Sequence, residues 1–210
     1  MRRHEEDSRL AVAHAHATDA HDAHWTSTGL NNRKMLFWAF LGSECMFFGS
    51  LIATYLVYRG RDQVGPHPHE ILDIPFTTLS AFVLLMSSLT MVLALAAIQR
   101  GNQRGGRLWL GATALLGLAF VGGQVYEFTH FFHKGLGLST NLFGSTFFVL
   151  TGFHGTHVSV GILWLLTLFV MASKGKLGPE KALDVEIAGL YWHFVDVVWI
   201  AIFTLVYLIQ

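Results

Sequence analysis

Residues 142–171 contain no Asp, Glu, Lys or Arg. A run of that length exceeds the roughly 20 apolar residues that one α-helix needs to cross a bilayer, and it leaves room to tilt or protrude. Four further apolar segments have spanning length, at about residues 35–58, 76–98, 108–132 and 187–209. The expected fold is therefore all-α: a polytopic membrane protein built as a bundle of five transmembrane helices over residues 34–210. Connections between the segments are short, so sequence neighbours are expected to pack as antiparallel neighbours. No composition shift marks a second domain.

Composition agrees with this class. Hydrophobic residues make up 52% of the 210 and charged residues 13%, about half the share found in soluble domains. Formal net charge is zero, which argues against a nucleic-acid partner. The single cysteine, Cys45, rules out an intrachain disulfide or a thiolate metal cluster, and its apolar setting suggests a buried core thiol. Residues 1–33 are polar and rich in Ala and His, and are expected to form a flexible tail. They lack the apolar core of a signal peptide, and Glu5, Glu6 and Asp7 are unusual for a transit peptide. Adventitious metal binding by this tail is a weak expectation, because nothing fixes the imidazoles.

The basic residues give an orientation. Arg2, Arg3, Arg9, Arg33, Lys34, Arg100, Arg104, Arg107, Lys174, Lys176 and Lys181 fall on one side of the membrane, against Arg59, Arg61 and Lys134 on the other. The positive-inside rule then places the amino terminus in the cytoplasm and the carboxy terminus outside. Small residues at helical spacing mark close approaches: Thr151, Gly155 and Ser159 on the fourth helix, Gly49 and Ala53 on the first.

Polar residues inside such spans are costly, and they mark function or packing. His193 and Asp196 lie three apart on one face of the last helix. They suit either hydrogen bonds to a neighbouring helix or a proton-linked site. Glu44 lies about ten residues into the first helix, roughly 14 Å from its cytoplasmic end. It reads as an acid bonding to a neighbouring helix or lipid headgroup, or as a proton-linked group. By depth, His193 is its nearest intramembrane candidate partner. His154 and His157, one turn apart, suit interhelical hydrogen bonds or ligation of a metal or haem. Glu127 and His130 have the Glu-x-x-His spacing of di-iron bundles, but that site needs a second converging copy. Three clearly intramembrane histidines and one cysteine are too few for a haem–copper redox subunit. The expected chain has no catalytic residue and no metal of its own. An independent carrier using Glu44 and Asp196 is the other class to weigh, although no helix shows the paired Gly/Pro interruption of transporter sites.

Five stretches, taken together and in order, resemble subunit III of the haem–copper oxidases in its cytochrome c oxidase form. They are Phe40-Leu41-Gly42-Ser43-Glu44 with Met46-Phe47-Phe48, Gln124-Val125-Tyr126-Glu127-Phe128, Phe143-Gly144-Ser145-Thr146-Phe147-Phe148, Thr151-Gly152-Phe153-His154-Gly155 with His157-Val158, and Tyr191-Trp192-His193-Phe194-Val195-Asp196-Val197-Val198-Trp199. The resemblance implies a non-catalytic subunit of a bacterial terminal oxidase in the inner (plasma) membrane. On that reading it docks directly on subunit I, with subunit II in the same complex. Haem and copper would sit on those partners, with phospholipid bound in a cleft and proton uptake supported. Glu44 matches the family's buried membrane glutamate. Glu127, His154, His157, His193 and Asp196 match its polar core. Mitochondrial members carry two additional amino-terminal helices, which a polar tail replaces here as in short bacterial members. Quinol oxidases and a nitric oxide reductase-associated homologue share the five-helix form. Glu44, where the quinol oxidase subunit has Asp, leans towards cytochrome c.

Overall fold

A computed structural model describes residues 31–60 and 73–209 of the chain. The amino-terminal segment, with its histidines, and most of the first inter-helix loop, with Pro66 and Pro68, lie outside the described residues. Among the described residues, five helices are long and apolar enough to cross a membrane: α1, Asn32–Tyr58; α2, Ile74–Gln99; α3, Gln103–His133; α4, Leu142–Ser173; and α5, Ala182–Phe203, entered through a 3₁₀ turn at Pro179–Lys181 and continued by a π-helical turn at Thr204–Leu208.

Local chemistry explains where they start and stop. Asp73 accepts a hydrogen bond from the Phe76 amide at 3.1 Å, Asn102 from Gly105 at 3.0 Å and Asn141 from Gly144 at 2.7 Å, so α2, α3 and α4 each begin on an Asx cap. At their far ends, Gly101, Gly135 and Gly175 take positive φ, the left-handed geometry that closes a helix without a Cβ clash. The bonds from Leu136 N to Phe131 O and from Gly135 N to Phe132 O complete such a closure after α3. α3 and α5 begin about five residues earlier than apolar content suggests, at Gln103 and Ala182. Hydropathy marks the part of a helix that tolerates lipid, whereas the cap marks where the helix starts.

By contact the chain forms two units, residues 1–44 and 45–210. In the first, the opening half of α1 carries a Ser43 Oγ bond to Phe40 O at 2.7 Å. In the second, α2 packs on α3 and α5, and α4 packs on α3 and α5. The core between these four helices is aromatic and aliphatic, with Leu84, Met91, Leu110, Phe120, Phe147, Trp192 and Trp199 all buried.

One side chain touches all four. The Trp192 indole Nε1 donates to Ser87 Oγ on α2 at 2.8 Å. Its ring fills the space where side chains of Gly117 on α3 and Gly161 on α4 would stand. A Cβ on Gly117 would lie 2.6 Å from Trp192 Cη2, and one on Gly161 2.9 Å from Cε3. Two glycines thus make the slot for the tryptophan.

Within the second unit, Phe48 and Tyr55, seven residues apart, are the buried positions of α1. Cys45 is exposed, contrary to the expected core thiol, because it lies off that stripe. Gly49 and Ala53 also face outward, and a Cβ on Gly49 would meet nothing within 4 Å.

Candidate functional site

The sequence stripe on α5 meets α2. Ser88 Oγ lies 2.7 Å from His193 Nδ1, and the same hydroxyl donates to Asp196 Oδ2. A hydroxyl has one proton, so with that proton directed to Asp196 the bond to His193 is one in which a proton on Nδ1 is donated to Ser88 Oγ. With Trp192 on Ser87, two adjacent serines of α2 therefore receive three side chains of α5. One turn further along α2, the Thr90 and Thr113 hydroxyls meet at 2.8 Å and tie α2 to α3. Hydroxyls suit this task in a spanning helix, since one can accept from a neighbouring helix while donating to a carbonyl of its own turn, as Ser87 does to Leu84 O.

The two histidines of α4 have different surroundings although one turn separates them. His154 is fully buried, stacked on Trp199 with centroids 5.0 Å apart and edge-on to Phe120 at 6.0 Å. Both its ring nitrogens, Nε1 of Trp199 and Oδ1 of Asp196 are buried without a hydrogen-bond partner among the described residues. His157 is half-buried, with Nδ1 2.8 Å from Phe153 O and its ring against Phe48 at 4.9 Å. Among the described residues no three His, Cys, Asp or Glu side chains converge as a metal-ligand set.

Glu127 belongs to a separate network nearer the other end of the bundle. Thr77 Oγ1 on α2 donates to its Oε1 at 2.6 Å, and the Tyr207 hydroxyl, from the π-helical turn after α5, bonds to the same carboxyl. Thr77, Glu127 and Tyr207 are all buried. His130, one turn on, is exposed and stacks on Tyr126 at 6.4 Å. Glu127 and His130 thus face different surroundings and share no site.

The small-residue ridge of α4 faces α3. Gln124 Nε2 donates to Thr151 O at 3.0 Å, and a Cβ on Gly155 would lie 2.7 Å from Gln124 Oε1. Ser159, the third member, donates to Gly155 O at 2.8 Å. Glu44 is half-buried on α1. The structure thus joins His193 to Asp196 and sets Glu127 apart. It adds Ser87, Ser88, Thr77, Gln124 and Tyr207, which sequence reasoning did not single out as polar partners. A serine pair inside an apolar helix was the one available signal.

A family profile described as cytochrome c oxidase subunit III matches residues 12–210. The chain belongs to the cytochrome c oxidase subunit III family. Subunit III of a haem–copper terminal oxidase is a part of an oxidoreductase complex, and this chain is 44% identical over 172 residues to the quinol oxidase subunit 3 of Bacillus subtilis (strain 168), covering 82% of this chain and 84% of the relative. It is 42% identical over 177 residues to the cytochrome c oxidase subunit 3 of Bacillus sp. (strain PS3), covering 84% and 86%. It is 38% identical over 203 residues to the cytochrome bo(3) ubiquinol oxidase subunit 3 of Pseudomonas aeruginosa (strain PAO1), covering 94% and 97%. Subunit III relatives of both donor types thus span nearly the full chain.

Proposed function

We propose that this chain is the non-catalytic subunit III of a bacterial aa3-type cytochrome c oxidase, lying in the inner membrane with its amino terminus cytoplasmic. In this role it docks on subunit I, shares the complex with subunit II, stabilises the redox subunit and supports proton uptake. Haem and copper belong to the partners, and phospholipid is the expected ligand of this chain.

The observation that carries the reading is the use made of its intramembrane polar groups. Ser88 holds His193 and Asp196, Thr77 holds Glu127, and Gln124 holds the Thr151 carbonyl. These groups join helix to helix, as a scaffold requires, and the outward faces keep exposed apolar residues such as Met46, Leu115 and Leu163 for lipid or a partner subunit. An independent carrier gains no support from this arrangement, since among the described residues no spanning helix is interrupted at mid-length to supply ion-coordinating carbonyls.

Glu44 and the Tyr191–Asp196 stretch favour cytochrome c as donor. The 44% identity to a quinol oxidase subunit favours the second reading, a subunit III of a quinol oxidase. The test is to tag this chain, purify it in mild detergent and identify the partners and haems that accompany it. Reduced cytochrome c and a reduced quinol are then offered as donors to the same preparation. Oxidation of cytochrome c bears out the proposal. Turnover with quinol alone transfers the chain to the second reading, and purification without redox subunits overturns both.

A further inference from the structure

We propose that the centre of the four-helix core holds internal water, at least two molecules between α4 and α5, bound by His154, Trp199 and Asp196. Four polar atoms on these side chains are buried without a hydrogen-bond partner among the described residues: both ring nitrogens of His154, Nε1 of Trp199 and Oδ1 of Asp196. The three residues adjoin one another. Trp199 stacks on His154 across the α4–α5 seam, and Asp196 stands one turn before Trp199 on the same side of α5. Their exposures are 2%, 0% and 3% for Trp199, His154 and Asp196, so bulk solvent does not serve them.

The stack excludes a direct bond between the two rings. Their planes lie 21° apart, so the in-plane N–H of either ring runs beside the other and not towards it. Phe48 and Phe120, the edge-on rings against the imidazole, offer no polar side-chain atom. Ser88 already occupies Oδ2 of Asp196 and leaves Oδ1 over. A buried polar group left dry forfeits the bonds it had in water, and native cores seldom leave several such atoms together. The set of atoms also selects the ligand. An imidazole with one ring proton offers a donor and an acceptor, Trp199 adds a donor and Asp196 an acceptor. A cation would need acceptors alone and an anion donors alone, whereas water both gives and accepts. Nδ1 and Nε2 point to opposite sides of the ring, so one molecule cannot reach both. Such water joins α4 to the chain that runs from His193 through Ser88 to Asp196, and one polar network then links α2, α4 and α5. The site is the same for either electron donor.

The intact oxidase complex carrying this subunit is imaged by electron cryomicroscopy at a resolution that shows ordered water. At least two density peaks are expected within about 2.7–3.2 Å of the His154 nitrogens, Trp199 Nε1 or Asp196 Oδ1. A layer closed by side chains alone, with no such peak, overturns the assignment. The same complex is exposed to radiolytic hydroxyl radicals, which label a buried side chain where water is bound beside it. Trp192 is the internal control, since it is equally buried but its Nε1 is bonded to Ser87. Trp199 is expected to oxidise several times faster than Trp192, and equal protection of both would overturn the site. This wild-type comparison stands whether or not a variant assembles. His154→Phe keeps an aromatic ring on Trp199 and removes both nitrogens. It is expected to slow the oxidation of Trp199 and to lower the thermal midpoint of the complex, because the remaining polar atoms lose their water. Unslowed oxidation, or a midpoint that holds or rises as when unsatisfied groups leave a dry core, would each count against bound water.

Discussion

Ser88 on α2 and Asp196 on α5 share a hydrogen bond that also positions His193, whose Nδ1 lies 2.7 Å from the same hydroxyl. One short side chain thus organises the two polar residues of the α5 stripe. Buried hydrogen bonds between spanning helices are worth about 0.6 kcal/mol on average and up to about 1.7 kcal/mol. Ser88→Ala removes two of them and is expected to cost about 1–2 kcal/mol in the detergent stability of the assembled complex. A double-mutant cycle with Asp196→Ala, which removes the acceptor, isolates the pair. Strictly additive effects would mean that the hydroxyl and the carboxyl are not coupled.

The tryptophan slot gives a steric prediction. Gly117→Ala puts a methyl 2.6 Å from the Trp192 ring, which is held by core packing and by the Ser87 bond. A rigid ring cannot yield as a flexible side-chain end can, so overpacking is expected to cost about 1–3 kcal/mol. Trp192→Phe in the same background makes room and should recover part of the loss. Thermal denaturation of the three variants measures it, and a Gly117→Ala protein as stable as wild type would show that Trp192 is not locked there.

The α4 ridge meets a softer neighbour. A Cβ on Gly155 would lie 2.7 Å from Gln124 Oε1, whose other end is tied to Thr151 O at 3.0 Å. Gly155→Leu must displace that amide and break its bond, so it is expected to loosen the α3–α4 contact by about 1–3 kcal/mol. Gln124→Ala in the same chain should relieve the clash. Proteolysis of the detergent-solubilised complex reads the difference, and failure of the second substitution to restore protection would place the damage elsewhere.

How far the sequence reached follows from which interactions are local. Five spans are legible because hydropathy over twenty residues needs no knowledge of a partner helix. The starts of α3 and α5 are not, because Asn102 and the Pro179–Lys181 turn place polar residues inside helical structure that a lipid-based criterion leaves out. The pairing of His193 with Asp196 is legible from a spacing of three. Their partner Ser88 is not, since helix-to-helix register depends on residues more than a hundred positions apart. Trp192 illustrates the same limit: its slot needs Gly117 and Gly161 from two other helices, and single glycines in apolar runs look alike until they are packed. The outward Cys45 shows the converse, an apolar neighbourhood in sequence that the fold leaves facing away from the bundle.

The last prediction concerns Glu127, where the carboxyl and its partners come from three elements. Thr77 donates to it at 2.6 Å, Tyr207 bonds to it from the turn after α5, and all three are buried. Glu127→Gln keeps an acceptor oxygen for Thr77, and the freely rotating Tyr207 hydroxyl can turn to accept from the new amide. Its cost is therefore expected to stay below about 1 kcal/mol. Glu127→Ala leaves two buried hydroxyls without that acceptor and opens space beside them, at an expected cost of about 1–3 kcal/mol. Because Tyr207 lies within the π-helical turn Thr204–Leu208, the Ala variant should also loosen that end of the chain. Hydrogen exchange of residues 204–208 in the complex is the discriminating measurement. Faster exchange in the Ala variant and unchanged exchange in the Gln variant would establish Glu127 as the anchor of the carboxy-terminal turn. Unchanged exchange in both would show that core packing around Tyr207 holds the turn without the carboxyl.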